Sequence, residues 1–128
     1  MNASSTLTIN GELMTTPDPV AEIKTAIQGP SEYLEIWLKQ QDGTALSSLV
    51  NSTNAFLIWM TPECPEGWHS IADQTHSAEP REFSFRLANG QVDLFPEESC
   101  VPRGNVIQAF QSFWVTGARP PSINWCYT

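Results

Sequence analysis

The residues able to do chemistry are few, and most sit in one stretch. "PECPEGWHSIADQTHSAEPRE", from Pro62 to Glu82, holds Cys64, His69 and His76, which are one of the chain's three cysteines and both of its histidines. A thiolate and two imidazoles would suit zinc, but their spacing matches no strong zinc signature, and the H-x-E and P-C-x-x-C pair of zinc deaminases is absent. Glu97 and Glu98 could be drawn as a glycosidase-like acid pair, although solvated charge on a loop is the plainer reading. There is no Gly-rich phosphate loop, GxSxG elbow or HExxH pair. No metal, cofactor or catalytic residue is expected. The chemistry that remains is recognition: Glu63, Glu66, Asp73, Glu79 and Glu82 surround a single large aromatic, Trp68, in the manner of a binding hot spot for a basic partner. Trp68 as a lid on a sheet explains the same residues structurally. A small hydrolase or ligand-binding domain using the Glu and His residues of 61–82 is the alternative function.

Bulk properties narrow the choice. A chain of 128 residues has room for one domain, expected over 1–128, and its apolar runs are too short for a membrane helix. Fourteen Asp and Glu against six Lys and Arg give a net charge of −8. That charge repels phosphate backbones and attracts basic surfaces, so no direct nucleic-acid or membrane binding is expected and a basic protein partner is. "MNASSTLTIN" carries neither a basic leader nor an apolar core, and Cys64, Cys100 and Cys126 form no CxxC pair. Both point to a cytoplasmic protein with reduced thiols.

These residues need a scaffold, and its punctuation is legible. In "TPDPVAEIKTAIQGP", Asp18 is placed to cap a helix, Pro19 suits its first position, and Gly29 with Pro30 closes it. Val20, Ile23 and Ile27 form its apolar stripe. "EYLEIWLKQ" alternates, with Leu34, Ile36 and Leu38 opposite Tyr33, Glu35 and Trp37, and "QDGT" offers a turn into "ALSSLVN". "NAFLIWM" is apolar from Ala55 to Met60, as a central strand should be. "TLTING" supplies an early strand, and Thr61 to Glu82 reads as a long loop with a short strand at most in "WHSIAD".

The last third carries a register argument. A two-residue type I′ turn at Asn89-Gly90 would set Leu87 opposite Val92, Arg86 opposite Asp93 and Phe85 opposite Leu94, with Phe83, Phe85, Leu87, Val92 and Leu94 on one buried face. A helix follows Pro102, with Val106, Ala109, Phe110 and Phe113 on its stripe and Gly117 as its left-handed stop. After Pro120 and Pro121, "SINWCY" is a final strand. The expected architecture is α+β, a mainly antiparallel sheet of about five or six strands with two helices packed on one face.

The order of these late signals resembles the type-one immunity protein family of bacterial polymorphic toxin systems. The matching features are the Asn89-Gly90 turn, the acidic loop at Pro96, Val101-Pro102 before the helix, the Ala109 and Phe113 core pair, the Thr116-Gly117 to Pro120 corner, and Trp125. Pro121 in tandem with Pro120 and the "PECPEGW" loop depart from that pattern. The resemblance implies an inhibitor without catalytic residues. It would act as a free monomer that binds a cognate toxin one-to-one, the toxin being a nucleic-acid deaminase or a nuclease.

Overall fold

The computed structural model describes residues 5–73, 79 and 81–127. Its main sheet contains strands β1 (Thr6–Ile9), β2 (Glu12–Met14), β3 (Leu34–Lys39), β4 (Ala45–Val50), β5 (Asn54–Thr61), β6 (Cys64–Ile71), β9 (Val101–Pro102) and β10 (Asn124–Tyr127). The order is β10-β6-β5-β4-β3-β1-β2, with β9 added against β5. Strands β7 (Glu82–Arg86) and β8 (Val92–Pro96) form a separate hairpin. Every pairing is antiparallel. The α+β class stands, but the expected five or six strands become ten among the described residues, eight of them in the main sheet.

Three local effects account for the excess. The "TLTING" segment turns back on itself at Asn10-Gly11, where φ values of 53° and 77° make a type I′ turn and create β2. The first half of the supposed Thr61–Glu82 loop holds the eight-residue strand β6, whose apolar alternation is hidden by a bulge. Val101–Pro102 adds a two-residue strand on β5 that has no periodicity to read.

Helix α1 (Pro19–Gln28) begins as expected, with the Asp18 carboxylate accepting from the Ala21 amide at 3.1 Å. Helix α2 (Asn105–Thr116) ends at Gly117, whose φ of 72° lets its amide donate to the Phe113 carbonyl at 2.7 Å. Ile23 and Ile27 of α1, with Val106, Ala109, Phe110 and Phe113 of α2, share one buried cluster with Leu34, Ile36, Leu38, Leu46, Val50 and Leu57 of the sheet. Both helices therefore cover one face, as the alternation in β3 requires.

The other face is covered by the β7–β8 hairpin. Phe56, Phe85 and Cys100 are buried there beside Phe83 and Phe95, with the Phe56 and Phe95 rings stacked at 3.9 Å. Burial, aided by the charge of Glu97, pushes the Cys100 thiol up to about 12, so it stays protonated. The hairpin register differs from the expected one. Leu87 donates to the Gln91 carbonyl and accepts from the Gly90 amide, enclosing Ala88, Asn89 and Gly90 in a type I turn closed by a left-handed glycine. The extra loop residue shifts the pairing to Arg86 with Val92, Phe85 with Asp93 and Ser84 with Leu94. Val92 and Leu94, expected in the core, are thus exposed, and Arg86 stacks over Tyr33 instead of pairing with Asp93.

A half-buried knot was not foreseen. The Arg103 guanidinium donates to the carbonyls of Ile27, Ser31, Glu32 and Asn51, at 2.8 to 3.2 Å, joining the C-terminus of α1 to the end of β4. Those carbonyls include one left open at a helix end, where positive charge is also favoured by the helix dipole.

Candidate partner-binding surface

The surface begins with β6, whose geometry depends on one glycine. Trp59 pairs with Trp68 and Thr61 with Cys64, so the interval from Trp59 to Thr61 on β5 faces the longer interval from Cys64 to Trp68 on β6. Gly67 absorbs the excess with a φ of 72°; a Cβ there would lie 2.7 Å from the Trp59 carbonyl oxygen. Any other residue would be strained and would clash with backbone. The bulge carries Glu66 out to solvent while Trp68 returns to the sheet.

β10 is positioned by the corner that precedes it. The Trp125 indole donates to the Pro120 carbonyl at 2.8 Å, and the Ile123 amide donates to the same oxygen. Pro120 itself is buried. Gly117 fits because a Cβ would meet the Gln40 side chain at 2.8 Å. Trp114 and Trp125, on either side of the Pro120-Pro121 corner in sequence, thus bracket a turn that delivers Tyr127 beside Trp68.

On the helix side of this edge, Trp59, Trp68 and Tyr127 form a run of tilted rings with centroids 5.3 and 5.1 Å apart. The Arg119 guanidinium lies over Trp68 at 5.1 Å and over Trp59 at 5.9 Å. The Tyr127 hydroxyl donates to Glu66 at 2.8 Å, and the Cys64 thiol donates to the same oxygen at 3.2 Å. These bonds hold the Glu66 carboxyl below its usual range, the bond from Tyr127 being the largest cause. The Tyr127 hydroxyl is raised in turn by its hydrogen bonding with Cys64 and Glu66.

On the hairpin side, Asp73 follows β6 and accepts from the Asn124 side chain. Beside it a cleft of about 500 Å³ is lined by Asn54, Arg81, Glu97, Asn105 and Asn124 among others, with Arg81 donating to Glu97 at 2.7 Å.

The anticipated site residues therefore fall into two groups. Glu63, in the β5–β6 turn, lies with Glu66 at one end of β6, Trp68 sits near the middle of the strand, and Asp73, Glu79 and Glu82 lie toward the other end, all five carboxylates exposed and Trp68 half-buried. The two ends of β6 are separated by roughly 20 Å at strand rise. His69 and Cys64 do not converge: the His69 ring stacks on Phe56 in the hairpin layer, while Cys64 bonds Glu66. His76 lies outside the described residues. Among the described residues no group of three or more His, Cys, Asp or Glu gathers as for a metal ion. Glu97 is tied to Arg81, and Glu98 is exposed on the 3-10 turn Glu97–Ser99. Tyr127, Arg119 and Gly67 were missed as members of this surface, although a glycine inside a strand-like run is itself a bulge signal.

This arrangement defines an α+β domain with both sheet faces covered and an aromatic, acidic strip beside one sheet edge. The chain belongs to the family of immunity protein Imm1, whose sequence profile matches residues 10–126. Immunity proteins of this kind neutralise a toxin, and membership implies a toxin protein as the partner. Among curated proteins, none matches the chain significantly. Among the described residues, no helix is long and apolar enough to cross a membrane.

Proposed function

We propose that this protein acts in the cytoplasm as a free monomer that binds its cognate toxin one-to-one and covers the toxin's active site or substrate path. The toxin in this reading is a nucleic-acid deaminase or a nuclease. The observation that carries the proposal is the family match over residues 10–126. The net charge of −8 supports a nucleic-acid-directed toxin, because a groove shaped for phosphates is positively charged and an acidic inhibitor complements it. The protein works by occupancy, without a catalytic residue, metal or cofactor of its own.

Titration of the cognate toxin domain's activity against nucleic acid tests this directly. Inhibition should be complete at one equivalent. Complete protection well below one equivalent would overturn stoichiometric binding, and a toxin acting on some other substrate would overturn the nucleic-acid reading.

The contact surface proposed is the one built around β6. Trp68 serves as the central anchor, and Glu63, Glu66, Asp73, Glu79 and Glu82 provide the surrounding field, a spread that suits an interface burying about 800 Å² on each partner. The two roles separate kinetically. Amides in place of the five carboxylates should slow association and flatten its salt dependence. Trp68→Ala should speed dissociation, at a loss of ~2 kcal/mol or more. Normal kinetics from both variants, each still folded, would move the interface elsewhere.

A further inference from the structure

The two groups of site residues lie on opposite sides of one feature, the outer edge of the main sheet. β10 closes the sheet order: it pairs with β6 along Asn124–Tyr127, and among the described residues no strand lies on its other side. Alternate backbone N–H and C=O groups of an edge strand point outward unpaired, and proteins normally guard such edges with charge, proline, bulges or extreme shortness. β10 carries no charge, proline or bulge within its four residues "NWCY", and its register with β6 runs in step through four consecutive pairs. At the opposite edge, β2 is three residues long and carries Glu12. The unguarded edge is also the one flanked by carboxylates, with Glu66 beside Tyr127 on the helix side and Asp73 beside Asn124 on the hairpin side. Tyr127, 57% exposed, adds apolar area next to Trp68.

We propose that an extended, basic segment of the cognate toxin adds to the sheet as the next strand along β10, with its Lys or Arg side chains reaching Glu66 on one face and Asp73 on the other. The inference rests on the reading of this protein as a toxin inhibitor and specifies how it grips its target. Main-chain bonds along β10 would supply affinity, and the flanking carboxylates would select a basic strand over others. Arg119 does not oppose this, since its guanidinium is held over the Trp59 and Trp68 rings. The strand would enter between the groups assigned to the interface above, so one partner could contact both at once.

Hydrogen exchange of the protein, alone and with its cognate toxin domain, is the test. The outward amides among 124–127 should gain protection in the complex, and those of Glu12–Met14 should not. Cys126→Lys places a charge on the edge and should weaken binding by about tenfold or more, whereas Leu13→Lys on the opposite edge should leave affinity unchanged. The exchange experiment uses the unaltered protein, so it decides the matter even if a variant misfolds. Tight binding without protection of β10 would overturn this inference and leave the inhibitor reading intact. Absence of binding would sink both. Sedimentation showing that β10 instead pairs two copies of this chain would also overturn it.

Discussion

The two faces of the main sheet are closed by different physics. On the helix side, α1, α2 and five strands of the sheet contribute buried residues to one continuous apolar cluster that includes Ile23, Leu38, Leu57, Phe110 and Phe113. On the hairpin side, among the described residues, only Phe56, Phe85 and Cys100 are buried in the second cluster, and polar ties do much of the holding. Asn51 donates to the Ser84 carbonyl at 3.2 Å, and the Ala88 amide donates to Glu35 at 2.8 Å. Ser70 accepts from the Leu57 amide and donates to the Ser99 carbonyl at 2.6 Å. A layer secured by area loses stability gradually as contacts are trimmed. One secured at a few points can open locally when a single tie is lost.

The sharpest test compares a phenylalanine from each layer. Phe113 and Phe85 are both fully buried. Phe113→Ala should cost roughly 4–5 kcal/mol, near the top of the range for a core Phe, because fixed neighbours on both helices and the sheet prevent collapse around the cavity. Phe85→Ala should cost about 3 kcal/mol, since the hairpin can settle toward the sheet. Denaturant unfolding measures both. Equal losses would show that the hairpin layer is as rigid as the helical one, and a Phe113 loss under ~1 kcal/mol would mean that the α2 stripe is misassigned.

Arg103 tests whether the helical layer depends on area alone. Its removal leaves several carbonyls without their charged donor, so Arg103→Ala should cost about 2–4 kcal/mol. Arg103→Lys should recover little, because a single ammonium cannot reproduce a fork that spans four carbonyls. Full recovery by lysine in thermal unfolding would reduce the knot to a simple charge effect.

What the sequence revealed follows the same division. The helices were legible because their information is local: Asp18-Pro19 at one start, Gly117 at one stop, and stripes at helical spacing. The α+β class and the central place of β5 followed from patterns of the same kind. The strand count failed where a signal was interrupted, as at Gly67, whose bulge breaks the alternation of β6, and at Asn10-Gly11, whose arms are only a few residues long. Arg103 could not be found at all, because its partners are backbone carbonyls and those carry no side-chain signature. Trp68 and its carboxylates were visible by composition, but their division between the two ends of β6, around the β10 edge, depends on pairing across the whole chain.

Asn51 offers the corresponding test for the hairpin layer. Its carbonyl oxygen accepts from the Thr53 and Asn54 amides while its amide reaches Ser84, so one side chain shapes the β4–β5 turn and tethers β7. Asn51→Ala should cost about 1–3 kcal/mol. Its distinctive mark should be faster hydrogen exchange in β7 and β8 with little change in α2. Uniform acceleration throughout the protein would show that the hairpin has no local opening of its own.

The smallest expected effect separates two copies of one dipeptide. Asn10-Gly11 turns the main sheet and Asn89-Gly90 turns the hairpin, and the two meet, since a Cβ on Gly11 would touch Ala88 at 3.4 Å while Glu35 binds both loops. Yet only Asn10 has a positive φ, at 53°, because only its turn is a two-residue type I′. Asn10 also accepts from the Glu35 amide at 2.8 Å, whereas Asn89 accepts only locally from Gln91. Asn10→Ala should therefore cost about 1–2 kcal/mol, combining left-handed strain with a lost long-range bond, and Asn89→Ala about 0.5 kcal/mol. Thermal unfolding of the two variants side by side measures the difference. An equal loss would imply that the hairpin turn shares the type I′ geometry, which would move Val92 and Leu94 back toward the core.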